Sequence, residues 1–338
     1  MVAVTLQKCG ISIIACIDQT PTGKSFDGIP ILSPDNPAID TSQPIVIGVY
    51  NPSPSADHHR IAKYLQKKGF HTIIPFLKFY VNHAETIGPY INLRPSVFFQ
   101  KYSREIHEAD QLWADSKSKE LYHKKLTALM YGDLSEDCHI EESCQYWPSD
   151  LILSETALKF ADLGACDGDT IESFLRQGIL LERIWAFEPD PQNFKKLLNR
   201  LQNLKCKIPI TLFPLGVGSR PGQLNFCASG NASAHIAEHG QTITMCRLDD
   251  ILFGEFPNYI KLDIEGFEME ALIGMKEIIT REHPVLAVSV YHNPEDLFNI
   301  PLLLKRWYTT ASFFLRQHGG NFFDTVCYVI PAKTYKKR

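Results

Sequence analysis

None of the nine cysteines (Cys9, Cys16, Cys138, Cys144, Cys166, Cys206, Cys227, Cys246 and Cys327) stands in a Cys-x-x-Cys pair. Their scatter and odd number exclude a disulfide framework and remove the commonest zinc-site spacing. A long apolar run is also missing. The stretch from Ile11 to Ile17 follows no basic leader and is far too short to cross a bilayer, so neither a secretory signal nor stable membrane insertion is expected, and a cytoplasmic location is. Positive charge shows no excess: 34 Lys and Arg against 38 Asp and Glu leave a net charge of -4. Nucleic acid is therefore not an expected partner, since its usual footprint is a strongly basic face. The terminal Lys336-Lys337-Arg338 reads as a solvated end. No internal repeat or low-complexity tract is present, and no Gly-x-Gly-x-x-Gly fingerprint occurs to cradle a pyrophosphate.

What remains is an ordinary globular composition, with 44% hydrophobic residues over 338 positions, enough for two domains. Its most informative run is Phe160-Ala161-Asp162-Leu163-Gly164-Ala165-Cys166-Asp167-Gly168-Asp169-Thr170. An apolar entry into Asp162 predicts a strand, the glycines allow a tight turn with close ligand approach, and Thr170 to Gln177 has helical spacing at Ile171, Phe174 and Leu175. A second strand, Arg183 to Phe187, ends in Glu188, where doubly wound folds place an acid for ribose hydroxyls. The pattern has no middle glycine, and its acids Asp162, Asp167 and Asp169 repel phosphate. They suit a cationic ligand, and the sulfonium and ammonium of S-adenosylmethionine fit that description. The bland alternative is a helix start whose acids only complement the dipole. Cys166, inside the turn, reads as a small packed residue rather than a nucleophile.

Along the chain, residues 1–80 carry a partial Rossmann-like α/β pattern: strands over Ile11 to Ile17, Ile45 to Tyr50 and Thr72 to Pro75, and a helix over Asp57 to Lys68. Asp18 reads as a strand-end turn residue, and with no strand and glycine loop ahead of it this segment is not expected to bind phosphate. Residues 81–150 read as a polar helical connector, with Asp115 or Ser116 as a cap and with Gln145-Tyr146-Trp147 as candidates for a lid over the cofactor. Over residues 151–338, strands and helices alternate: a helix over Asn193 to Leu201, strands over Ile210 to Val217 and Tyr259 to Asp263, a helix over Glu265 to Ile279, and a strand over Val285 to Val290. Alternation of this kind indicates an α/β fold with a doubly wound, mostly parallel sheet.

Ile260-Lys261-Leu262-Asp263-Ile264-Glu265-Gly266-Phe267-Glu268 sets acids at a strand's carboxyl end, the edge at which open α/β sheets bind ligands. Methyl transfer from a sulfonium is an in-line displacement, so a protein has mainly to align an acceptor oxygen and help remove its proton. Asp263 is the leading catalytic candidate, with Glu265 and His292 beside it. Glu265 and Glu268 can equally serve a helix N-terminus, and His292 a loop hydrogen bond. No cluster has clear metal-ligand spacing and no metal is expected, although Asp263, Glu265 and His292 could converge on a divalent ion.

These strings, with Phe187-Glu-Pro-Asp-Pro191, Arg247-Leu-Asp-Asp250 and Ser289-Val-Tyr-His292, resemble the FkbM family of S-adenosylmethionine-dependent methyltransferases. The resemblance runs from about Trp113 to Ile330. It implies a class I methyltransferase fold, S-adenosylmethionine as cofactor, and O-methylation of a hydroxyl on a small-molecule or glycan acceptor. Carried over by position, Asp162, Gly164 and Gly168 would shape the methionine end of the pocket, with Ala165 and Thr170 in the same turn. Glu188 would hold the ribose, Asp190 would lie near the adenosine, and Asp249 would support the pocket. Asp263 and Glu265 match the family's Asp-x-Glu-Gly motif. The competing readings are a nucleotide-sugar oxidoreductase or epimerase, which needs the absent dinucleotide loop, and a non-catalytic cofactor-binding protein.

Overall fold

The computed structural model describes residues 1–21, 23–134, 144–151, 156–204, 206–227, 235–236 and 241–332. The terminal basic residues and Cys138 lie outside them. The chain divides into two compact units, one of residues 1–103, 123–138 and 319–323, the other of residues 104–122, 139–318 and 324–338.

In the first unit, the short strand Ile45–Val46 pairs in parallel with Ile73–Ile74, and the helix His58–Lys67 lies between them in sequence. Asp57 starts that helix by accepting the Arg60 amide at 2.8 Å, as an N-cap should. Ile47, Leu65 and Phe70 bury a small core, with Ile61, Tyr64 and Ile73 against it. The strands are shorter than the apolar runs suggest. From Ile11, only Cys16–Ile17 forms a strand, parallel to Ile29–Leu32. Asp18 follows as a turn residue whose carboxylate takes the Thr20 amide at 2.8 Å.

The main sheet of the second unit has seven strands: β1 (Leu158–Leu163), β2 (Leu181–Phe187), β3 (Ile210–Phe213), β4 (Tyr259–Leu262), β5 (Val285–Ser289), β6 (Ala311–Gln317) and β7 (Thr325–Pro331). The strand expected over Ile210 to Val217 ends at Phe213, and Gly216–Val217 joins Gly222–Cys227, His235–Ile236 and Gln241–Cys246 in a separate sheet. Their order is β6-β7-β5-β4-β1-β2-β3, parallel from β5 to β3, with β7 antiparallel to both β5 and β6. The order reverses direction between β1 and β4, the switch point where open α/β sheets bind ligands. Helices α1 (Asp169–Arg176), α2 (Pro191–Asn203), α3 (Leu248–Ile251), α4 (Glu268–Gly274), α5 (Lys276–Glu282) and α6 (Asp296–Trp307) connect these strands. Phe160, Phe174, Ile184, Tyr259, Ala287 and Tyr328 fill the core beneath them.

Two differences from the sequence pattern have physical causes. The single helix expected over Glu265 to Ile279 is two, broken at Met275 (φ -125°, ψ 19°). At Gly274 the backbone runs so close to the Gly218 carbonyl that a Cβ would lie 1.9 Å from its oxygen. The β6–β7 pair is antiparallel with β7 buried on both faces, so it carries no period-2 alternation for a pattern reading to find. Among the described residues no helix is long and apolar enough to cross a membrane.

Arg316 on β6, 2% exposed, joins Asp115 at 2.7 Å and Asp150 at 2.8 Å. Asp115 also accepts the Ser118 amide at 2.8 Å, close to its expected capping role. Arg316→Met should cost about 1–2 kcal/mol, because Asp115 and Asp150 are about a third exposed and Asp150 keeps Lys117 at 3.1 Å, and urea denaturation with far-UV circular dichroism measures it.

Candidate functional site

The end of β1 turns sharply because Gly164 adopts φ +81°, with its amide and that of Ala165 donating to the Phe187 carbonyl at 3.0 and 2.9 Å. A Cβ on Gly164 would fall 1.8 Å from the Asp263 carbonyl oxygen, so this position requires glycine and sets the β1 and β4 ends against each other. Gly168, at φ +87°, starts α1 and packs where a Cβ would meet Leu197 at 2.8 Å. Thr170 is buried in the first turn, and its amide donates to the Asp169 carboxylate at 2.7 Å.

Glu188 lies at the end of β2 with one carboxylate oxygen on the Cys166 amide and the other on the Asp190 amide, each at 2.8 Å. Burial pushes its carboxyl up to about 7, although both amides pull the other way. Each oxygen still has acceptor capacity for a hydroxyl donor. The carboxyl's ordinary value is 4.5. Since the folded chain binds this proton more tightly, the group's contribution to stability falls as pH rises from there through about 7.

Lys261 on β4 stands opposite Asp162 on β1 in register, and its ammonium is 3.1 Å from Asp162 Oδ1. It donates to the Gly164 carbonyl at 2.5 Å and lies 5.2 Å from the centre of the Tyr146 ring. Burial alone would lower the ammonium, but the charges of Asp162, Asp263 and Asp169 outweigh it and hold Lys261 protonated. Asp162 is fully buried; burial raises its carboxyl against the pull of Lys261. The ion contact is off-axis, and neither Asp162 oxygen receives a well-aligned hydrogen bond. Asp162 is thus already paired with a fixed cation, and its charge acts on the glycine turn from beneath it.

Beyond Gly164, Asp263 accepts the Tyr146 hydroxyl at 2.7 Å and the Tyr291 hydroxyl at 3.3 Å. Tyr146 has φ +70° and is clamped by the hydroxyl of Tyr328, which takes its amide at 3.1 Å, and that of Tyr259, which donates to its carbonyl. His292 follows β5 with Nε2 3.5 Å from Asp263 and 3.6 Å from Glu265, and with Nδ1 2.9 Å from Glu268. Burial opposes its protonation, yet Glu268, Asp263 and Glu265 push the imidazole up to about 10. Burial also opposes ionisation of Asp263, but His292 and Lys261 hold it below the ordinary carboxylate range. Glu265 goes the other way: burial outweighs His292 and pushes it up to about 8.

The structure thus brings Asp162, Gly164, Ala165, Glu188, Asp263, Glu265 and His292 to one end of the sheet. Asp190 is engaged as the N-cap of α2, accepting the Gln192 and Asn193 amides at 2.7 and 3.0 Å. Asp249 accepts the Glu277 and Ile278 amides of α5 at 3.1 and 3.0 Å. Two contributors have no assigned role in the sequence reading, Lys261 and Tyr291, and Glu268 reads there only as favouring a helix N-terminus. Lys261 carries a usable signal, since a lysine inside an otherwise apolar strand is rarely buried without a partner. Gln145-Tyr146-Trp147 was a candidate lid, and its Tyr146 hydroxyl reaches Asp263.

Residues 162–320 match the model of the Methyltransferase FkbM domain. The hexuronic acid methyltransferase AglP of Haloferax volcanii is 35% identical over 124 residues, which cover 34% of this chain and 50% of that protein. This chain therefore matches about half the length of that curated relative. The crystal structure of methyltransferase FkbM from Methylobacillus flagellatus KT superimposes with a TM-score of 0.74 at 22% identity, over 94% of this chain and 84% of that one, and shows the same fold.

Lys261→Met should destabilise the protein by about 3–5 kcal/mol, because it leaves Asp162 buried without a counter-charge. Adding Asp162→Asn should recover most of that loss, which guanidinium denaturation of the single and double variants would read.

Proposed function

We propose that this chain is an S-adenosylmethionine-dependent O-methyltransferase whose acceptor is a hydroxyl of a sugar or glycan. The observation that carries the reading is the continuous acidic edge from Glu188 through Asp162 to Asp263 and Glu265, joined at Gly164. Ribose hydroxyls would donate to Glu188. The positive charge of the donor would be attracted by Asp162 and the neighbouring acids, and Gly164 and Gly168 keep the turn free of side chains. Bound there, the cofactor supplies an electrophilic methyl group.

This chain's residues then have to orient an acceptor and take its proton. His292, protonated near neutrality, is suited to donate a hydrogen bond rather than to act as base. Asp263, ionised and already accepting two tyrosine hydroxyls, is suited to orientation. Glu265, at about 8 and about a third exposed, has the proton affinity closest to working pH and is the group assigned as general base. The sugar acceptor is favoured by the relative AglP, whose name specifies hexuronic acid.

Incubation with labelled S-adenosylmethionine and a panel of glycans, followed by mass spectrometry, should give products heavier by one methyl group. Absence of transfer to every hydroxyl-bearing acceptor, with the cofactor bound, would count against the acceptor class. Glu265→Gln should cut turnover by about 100-fold or more while sparing cofactor affinity. Cofactor affinity, measured by calorimetry, should weaken as pH falls below about 7, where Glu188 takes up a proton and loses an acceptor. Glu188→Gln should flatten that dependence.

A further inference from the structure

Asp263, Glu268 and His292 each offer one ligand atom, and the three lie within 4.8 Å of one another. Two ligands of a single ion with bonds of about 2.0–2.4 Å are at most about 4–5 Å apart, so the spacing needs no rearrangement of the backbone. Two further observations separate this cluster from an acidic patch. His292 is nine-tenths buried, and neither ring nitrogen makes a well-aligned hydrogen bond, although Nδ1 is 2.9 Å from Glu268 Oε1 and Nε2 3.5 Å from Asp263. Glu268 is fully buried; its Oε1 accepts the Ile264 amide at 2.9 Å, while Oε2 has no donor.

Atoms without well-aligned partners are costly in a protein interior, and one cation, displacing the imidazolium proton, would take up one His292 nitrogen and Glu268 Oε2 together with an Asp263 oxygen. Lys261, the nearest ammonium named above, is engaged by Asp162 and the Gly164 carbonyl. We infer that Asp263, Glu268 and His292 form a binding site for one divalent transition-metal cation of the Mn²⁺ or Zn²⁺ class. One imidazole and two carboxylates form a mixed nitrogen and oxygen set that suits these ions better than Mg²⁺, which prefers oxygen alone. Asn293 holds the surrounding loop: its side-chain amide donates to the Gly266 carbonyl at 3.1 Å and to Asp296 at 3.0 Å. Three protein ligands leave coordination positions open. Under the methyl-transfer reading, on which this consequence alone rests, those positions take acceptor oxygens and favour acceptors with two adjacent oxygens, such as vicinal hydroxyls or a hydroxyl beside a carboxylate.

The full chain, stripped with a chelator and titrated with Mn²⁺ alone, should show saturable uptake of one ion by electron paramagnetic resonance and calorimetry. Asp263→Asn and His292→Gln, each checked for folding by circular dichroism, should weaken uptake by at least about tenfold. Glu270→Gln, outside the cluster, should not. A folded wild-type chain with no saturable uptake of Mn²⁺ or Zn²⁺, or folded variants that bind as well as wild type, would overturn the site. S-adenosylmethionine binding measured on the same samples separates the two readings: cofactor uptake without metal uptake removes the cation site and leaves methyl transfer standing, and metal uptake without cofactor uptake does the reverse.

Discussion

The ion pair between Lys261 and Asp162 is the constraint on which the rest of the site depends. It joins β4 to β1 at the switch point of the sheet, in register, with both side chains buried. The ammonium also holds the Gly164 carbonyl and lies against the Tyr146 ring, so one charge fixes the turn, the strand pair and the aromatic above them. It does electrostatic work as well. Asp162, Asp169 and Asp263 all act on Lys261, and without it their mutual repulsion would oppose closing the turn.

The acids near Asp263 divide their roles by environment rather than by residue type. Asp263 has an imidazolium and two tyrosine hydroxyls beside it and stays ionised; Glu265, two residues further on, is partly buried and keeps its proton up to about 8. Glu265 adopts φ +56°, a backbone conformation that side-chain-bearing residues rarely take. The strain belongs to a segment held by the Ile264 amide on Glu268 and by Asn293 on the Gly266 carbonyl. Two neighbouring carboxylates with separated proton affinities are what acid-base chemistry near neutral pH requires.

What the sequence made legible was local. The Gly164 turn, the acids at strand ends and the alternation of β1 to β5 each follow from residues within a few positions of one another. Tyr146 reaches Asp263 across 117 positions, and only the folded sheet brings them together. The break at Met275 depends on the Gly218 backbone, and the two-faced burial of β7 erased its alternation. In the first unit the apolar runs were real but over-long as strands, because only Cys16–Ile17, Ile45–Val46 and Ile73–Ile74 find paired partners within them.

Acid density was the argument for a cationic ligand, and the fold decides how much of that density is available to one. Asp167 is tied to Arg200, which also donates to the Asp167 carbonyl at 2.8 Å. Asp190 and Asp249 bond to the first amides of α2 and α5. In sequence these three are indistinguishable from ligand-facing acids, since a helix cap and a cofactor contact both favour a short carboxylate at the end of a strand or loop. Their removal from the count leaves Asp162, Asp169, Glu188, Asp263 and Glu265. Of these, Asp162 is balanced by Lys261, and Glu188 and Glu265 carry raised proton affinities. The change in negative potential at the sheet edge around neutral pH therefore comes chiefly from Glu188 and Glu265, which a count of acids does not reveal.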